Sequence, residues 1–246
     1  MISECNFSYK HYFDVLEYAK TKYTIGTVKE FRKLKKRKKF IILRHDIDYS
    51  LEYALKLAEE EKTHGLKSTY FVMLHNSLYN ALSEESISII KKISCLGHDI
   101  GLHYDTIFLP KSRSDALRTI KKEAAILEDV CGKEIISVAQ HNPTINPKLK
   151  YDITINFLDA RSPEITNICR YLSDSIQNWR DGCMCNHIDK EDKLQILTHP
   201  IWWSNQHKPR DHILKEIVEK ENDRIMRIIK SYRQTYTEYL KQNSKK

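Results

Sequence analysis

The sequence predicts an α/β fold built as a parallel barrel, on three observations. Short apolar runs alternate with longer amphipathic ones along most of the 246 residues. No glycine-rich dinucleotide loop follows a strand, which favours a barrel over a doubly wound sheet. Polar residues that could carry chemistry cluster at the strand ends, the edge where parallel α/β folds build their sites.

Phe40 to Leu43 reads as a buried strand. Ser50 then offers an N-cap, and Leu51, Ala54, Leu55 and Ala58 line one helical face until His64-Gly65 stops it. Ser68 to Leu74 is the next strand, rich in aromatic and β-branched types. Glu84 to Leu96 predicts a helix with Ile87, Ile90 and Ile93 as its stripe, stopped by Gly97. His98 to His103 is a third strand. Ser112 or Ser114 starts a helix carrying Leu117, Ile120, Ala124 and Leu127, which ends near Gly132. Glu134 to Ala139 gives a fourth strand. Prolines 143, 147 and 163 then break up a looser stretch, with weaker strands at Ile153 to Phe157 and Arg170 to Ser173. Leu194 to Leu197 is the last strand. Asp211 to about Leu240 reads as one or two long charged helices with Ile213, Leu214, Ile217, Ile225, Ile228 and Ile229 as the apolar face. The expected organisation is one domain over 1–246, with a core at about 40–203 and a helical extension at about 211–243.

Composition narrows the classes. Apolar residues make up 41% and charged residues 30%, an ordinary soluble balance that excludes wholesale disorder. The longest apolar runs, such as Phe40 to Leu43 and Phe71 to Leu74, are far short of a membrane span. Neither a basic start nor an apolar stretch marks Met1 to Phe13, so the expectation is a soluble, cytoplasmic protein. The six cysteines (5, 95, 131, 169, 183 and 185) then read as reduced and structural; Cys183-Met-Cys185 lacks zinc-ribbon spacing. Net charge is +8, with much of the excess in Arg32 to Lys39 and in Lys245-Lys246. With no nucleic-acid-binding motif beside it, that run reads as a solvated approach to the first strand, able to attract an anionic glycan or membrane surface.

Four clusters stand at strand ends. In Arg44-His45-Asp46-Ile47-Asp48, alternation puts Arg44, Asp46 and Asp48 on one face and His45 on the other. Two carboxylates at i and i+2 repel, so a cation or a proton is expected between them, unless the following helix N-terminus stabilises the pair. In Gly97 to Asp105, His103 reaches the strand-end side, whereas His98 reads as a hydrogen-bonded packing residue. His141 follows the fourth strand and His199 the last. Three strand-end histidines with an acidic pair suit a divalent metal that keeps an open water position. Trp202, Trp203 and Tyr104 offer flat apolar faces of the kind sugar rings pack on, or plain core.

The motifs HDID, GHDIGLHYD and LTHP, in this order, resemble the NodB-type polysaccharide deacetylases of carbohydrate esterase family 4. The likeness runs from about Phe40 to Trp203 and is strongest to members from bacterial surface-polysaccharide clusters, which carry an RHDVD-type first motif. It implies a distorted (β/α)7-type barrel that hydrolyses a carbon–nitrogen bond, the N-acetyl group of an amino sugar, on a glycan or a lipopolysaccharide or capsule precursor. It implies a divalent metal, zinc by default; no nucleic-acid partner is expected, because no binding motif accompanies the basic run. By resemblance Asp46 is the general base, Asp48 a metal ligand, His103 the first metal histidine and His199 the general acid. The family's second metal histidine falls at Ile107, and His141 is the substitute, with Asp105 as second choice. Asp174, ahead of Trp179-Arg180, matches the family's aspartate–tryptophan motif that orients catalytic groups.

Overall fold

Every strand ladder among the described residues is parallel. A computed structural model describes residues 4–143 and 156–243. The chain forms two units, Met1–His207 and Lys208–Lys246. The first opens with α1 (Tyr9–Lys20), β1 (Thr24–Gly26) and α2 (Phe31–Leu34), three elements that strand–helix alternation did not suggest. Then come β2 (Phe40–Ile47), α3 (Leu51–Thr63), β3 (Thr69–Val72), α4 (Glu84–Cys95), β4 (Asp99–Tyr104) and α5 (Arg113–Cys131). β5 (Ser137–Gln140), β6 (Leu158–Asp159), α6 (Pro163–Thr166), β7 (Arg170–Ser173) and β8 (Lys193–Thr198) complete it.

The strand order β6-β5-β4-β3-β2-β8-β7 makes a seven-strand path, as a distorted (β/α)7 barrel requires. β1 is an eighth strand, paired with Phe40–Ile42 of β2, beyond which β3 takes over at Arg44–Ile47. Among the described residues no ladder joins β6 to β7, so the curved sheet stays open there. Most of the expected strand from Ile153 to Phe157, with Pro147 and Lys245-Lys246, lies outside the described residues.

Two alternating faces define two cores. Phe40, Ile42, Phe71, Ala139 and Leu158 fill the barrel interior with Val28, Phe31 and Leu34. Tyr70, Val72, Ile100, Leu102 and Val138 face outward onto Ala54, Ala58, Ile90, Ile93, Ile120 and Leu127 of α3, α4 and α5. Gly101 serves the inner packing: a Cβ there would meet the Phe71 ring at 2.4 Å. Gly132 ends α5 at φ +70°, a left-handed cap that a side chain would strain, and its N–H reaches Glu128 O at 2.8 Å. Leu34 within the basic run and Phe31 just before it are buried while the run's cations face solvent; Lys35 pairs with Glu164 at 2.9 Å and Lys39 with Asp192 at 3.2 Å.

The first strand is longer than its apolar run. Ladders to β3 and β8 carry β2 through Ile47, so Arg44, His45 and Asp46 lie within the strand rather than after it. The second unit is one helix, α7 (Arg210–Asn243), on which Ile225, Ile228 and Ile229 are exposed. No helix among the described residues is long and apolar enough to cross a membrane.

Candidate active site

The even positions of β2 continue inward from Phe40 and Ile42 to Arg44 and Asp46, and so the motif enters the barrel mouth. A cavity of about 640 Å³ opens there, lined by Arg44, Asp46, Asp48, His103, His141 and His199 among others. All of these belong to the C-terminal ends of β2, β4, β5 and β8. Asp48 follows β2 in a loop held by Asn76, whose Nδ2 donates to Asp48 O at 3.0 Å, and by Tyr79, whose hydroxyl donates to Ile47 O at 2.9 Å. Asp174 follows β7, the neighbour of β8.

Arg44 clamps Asp46. Its Nη2 donates to both carboxylate oxygens at 2.6 and 2.7 Å, and its Nε donates to Oδ1 at 3.2 Å. Its guanidinium also lies 4.8 Å from the centre of the Phe71 ring. Asp48 bridges two histidines, with His103 Nε2 at 3.3 Å from Oδ1 and His199 Nε2 at 3.5 Å from Oδ2. Asp174 accepts from His199 Nδ1 at 2.6 Å, from the His199 backbone N–H at 3.0 Å and from Trp203 Nε1 at 2.8 Å. His141 Nδ1 faces Asp105 Oδ2 at 3.0 Å, and its ring stands edge-on to His103 at 5.3 Å between centroids. Asp105 Oδ1 meanwhile accepts from the Ile107 N–H at 2.9 Å. Ile107 itself is 63% exposed.

The charges follow from these contacts. Burial would raise the Asp46 carboxyl, but Arg44 and then His103 and His199 hold it below the usual range. Asp48 is likewise held down against its burial, by His103, His199 and His141. Burial alone would depress His199; Asp174, then Asp48 and Asp46, overcome it and push the imidazole up to about 9. Asp46 is therefore an ionised carboxylate at neutral pH and His199 a protonated donor. That is the pairing of proton acceptor and donor that amide hydrolysis needs.

Whether the site suits a metal is decided at His103. Its Nδ1 lies 2.9 Å from Ala139 O, a contact that requires the proton on Nδ1. A neutral His103 then turns a lone pair toward Asp48 Oδ1 at 3.3 Å, and that oxygen is buried without a hydrogen bond. Two acceptors facing one another need a cation between them, either a proton or a metal. In keeping with the first, Asp46 and Asp48 raise the imidazole against its burial. Asp48 and His103 thus fit a divalent ion by donor chemistry. His141 is less well placed: the set of three or more His, Cys, Asp or Glu residues whose ligand atoms all lie within 4.8 Å among the described residues is a different one, Cys5, His11, Cys183 and Cys185. Asp105 orients His141 and caps a turn, so neither candidate for the missing ligand closes on Asp48 and His103.

Several residues have other roles than the sequence implied. The indole on Asp174 comes from Trp203, not from Trp179. Trp203 and Tyr104 are buried and present no face to the cavity, whereas Trp202 lines it, edge-on to Tyr49 at 5.4 Å. His45 points away from the mouth, as alternation requires, into a network centred on buried Glu61. Glu61 accepts from Tyr12 and Ser68 at 2.6 Å and from Tyr70 at 2.9 Å, and faces His45 Nε2 at 3.0 Å. His98 bonds Ala58 O at 3.0 Å in the same layer.

No protein-family model matches the sequence, and no curated protein does. Among solved structures the chain is similar to a pseudoenzyme of carbohydrate esterase family 4 from Bacillus anthracis, with 17% identity, a TM-score of 0.46, and coverage of 75% of this chain and 62% of that one. It is similar to a peptidoglycan deacetylase from Bacillus subtilis, with 15% identity, a TM-score of 0.47, and coverage of 81% and 98%. A family 4 acetyl xylan esterase from Clostridium thermocellum, in complex with a cobalt ion, matches at 15% identity and a TM-score of 0.43, over 75% and 84%. The chain spans just under two thirds of the pseudoenzyme's length.

Proposed function

We propose that the protein is a metal-dependent amide hydrolase that removes an N-acetyl group from an amino sugar or surface-polysaccharide precursor. The observation that carries this is Asp48, whose carboxylate meets His103 at 3.3 Å and His199 at 3.5 Å beside an ionised Asp46, in one cavity at the strand ends. The HDID, GHDIGLHYD and LTHP resemblance supplies the reaction and the substrate class. A cavity of about 640 Å³ is in the range that holds a small ligand. Six unpaired cysteines suit a reducing compartment, so the precursor is proposed to be met in the cytoplasm.

In this reading Asp48 and His103 would hold the ion, and His141, whose ring centre lies 5.3 Å from that of His103, is the proposed third ligand. A metal there would lower the pKa of water beside it and polarise the amide carbonyl. The chain's own residues move the protons. Asp46, kept ionised by Arg44, takes the proton of the attacking water as the carbon–oxygen bond forms. His199, kept protonated by Asp174, gives one to the nitrogen as the carbon–nitrogen bond breaks, releasing acetate and the free amine.

A second reading, a barrel that binds glycan without hydrolysing it, rests on the exposed Ile107 where the family has a metal histidine. Acetate release from a panel of N-acetylated amino-sugar oligomers and nucleotide-linked sugars separates the two. Metal-loaded protein should release acetate and chelated protein should not; no release from any member would favour the binding barrel.

A further inference from the structure

A second cluster of ligating side chains lies apart from the barrel mouth. Cys5, His11, Cys183 and Cys185 bring one Sγ or ring nitrogen each to within 4.8 Å of one another. His11 Nε2 stands 3.2 Å from Cys183 Sγ. His11 and Cys183 are buried, Cys185 is half-buried and Cys5 is exposed, so the group sits at the surface with its inner half closed. All six cysteines are thiols. Tetrahedral bonds of zinc to sulfur would set neighbouring sulfurs about 3.8 Å apart, inside the observed spread.

We propose that Cys5, His11, Cys183 and Cys185 form a closed Cys3His site for a zinc-class ion. Four protein donors leave no position for water, the mark of a structural rather than a hydrolytic centre. Thiolate donors select a softer ion than the oxygen and nitrogen donors of the mouth do. Binding displaces three thiol protons to solvent and leaves His11 neutral, so the bound ion carries three Cys–S⁻ bonds and one imidazole bond.

The consequence is positional. The ligands fasten the segment before α1 to the turn at 183–185, and the residues between Cys5 and His11 bear on the site's acid. Phe7 packs on Trp203 at 5.1 Å between centroids and stacks along Trp179 at 6.4 Å. Trp203 bonds Asp174, and Asp174 bonds His199. Tyr9 N–H also donates to Ser204 O at 2.8 Å. The clamp therefore buttresses the support of His199 without touching the cavity.

Cobalt(II) added to the full chain under reductant tests this. Wild type should take up cobalt with a thiolate-to-metal charge-transfer band and tetrahedral absorption, both lost on adding zinc. The band should vanish in Cys183→Ser/Cys185→Ser and persist in His103→Ala, since the mouth has no thiol. As a check on unaltered protein, zinc should shield Cys5 and Cys185 from alkylation and leave exposed Cys95 reactive. A wild-type spectrum without the band, a band that survives the double variant, or zinc that leaves alkylation unchanged would each overturn the site.

Discussion

At the scale of single residues, the site reads as two histidines on two different supports. His103 is tied to a backbone carbonyl and His199 to a carboxylate; both imidazoles are raised, His199 up to about 9. Because Asp174 is the main group raising His199, Asp174→Asn should move the basic limb of the pH–rate profile down from about 9. A general acid is lost as pH rises through its pKa, so turnover at neutral pH should also fall, by roughly 10–100-fold as for other orienting partners. An unchanged basic limb would remove Asp174 from this role. That Asp46, Asp48, His103 and His199 share one cavity was legible from strand alternation and strand-end position, whereas the roles proposed for them come from the family resemblance. Arg44's clamp on Asp46 was only half legible: its face followed from alternation, its bond did not. Trp203 could not be found, because its bond to Asp174 depends on how the turn after β8 folds.

At the scale of elements, β2 and α3 share the buried Glu61 network, and it gives acid stability a definite shape. Burial favours the neutral acid, yet His45, then His98 and Ser68, hold the Glu61 carboxyl down at about 2, against 4.5 for a free side chain. A depressed carboxylate contributes its stability above the unfolded pKa and loses it as pH falls through the folded one. Wild type should therefore lose on the order of 3 kcal/mol between about pH 4.5 and 2. In denaturant titrations against pH, Glu61→Gln should start less stable and lack this component; parallel curves would contradict it. Gly101→Ala, pressing a methyl onto Phe71, should cost about 1–3 kcal/mol by the same titrations. A neutral result would mean the inner packing yields. The strands and large helices were legible because apolar runs and caps are local signals. α1, β1 and α2 were missed: three-residue β1 has no period to read, and α2 has two buried residues, one before and one inside a run of cations.

At the scale of the molecule, the barrel gathers strand ends that are far apart in sequence, and this decides what composition could and could not reveal. Net charge pointed at the run from 32 to 39, where the cations face solvent beside β1 and β2 and none lines the cavity. Replacing Lys33, Lys35, Lys36 and Lys38 with glutamine should leave turnover on a small uncharged substrate intact. A collapse of activity in a folded variant would tie the run to the site. The Cys3His cluster was invisible for the opposite reason: its halves are 172 residues apart and neither half has metal-motif spacing. In the proposed reaction Asp46 and His199 exchange protons with an amide at the barrel mouth. The kcat for acetate release from an N-acetylated amino sugar by metal-loaded wild type, Asp46→Asn and His199→Ala tests this exchange. Each variant should fall by about 10²–10⁴-fold with its metal retained; wild-type kcat in both would remove both residues from proton transfer.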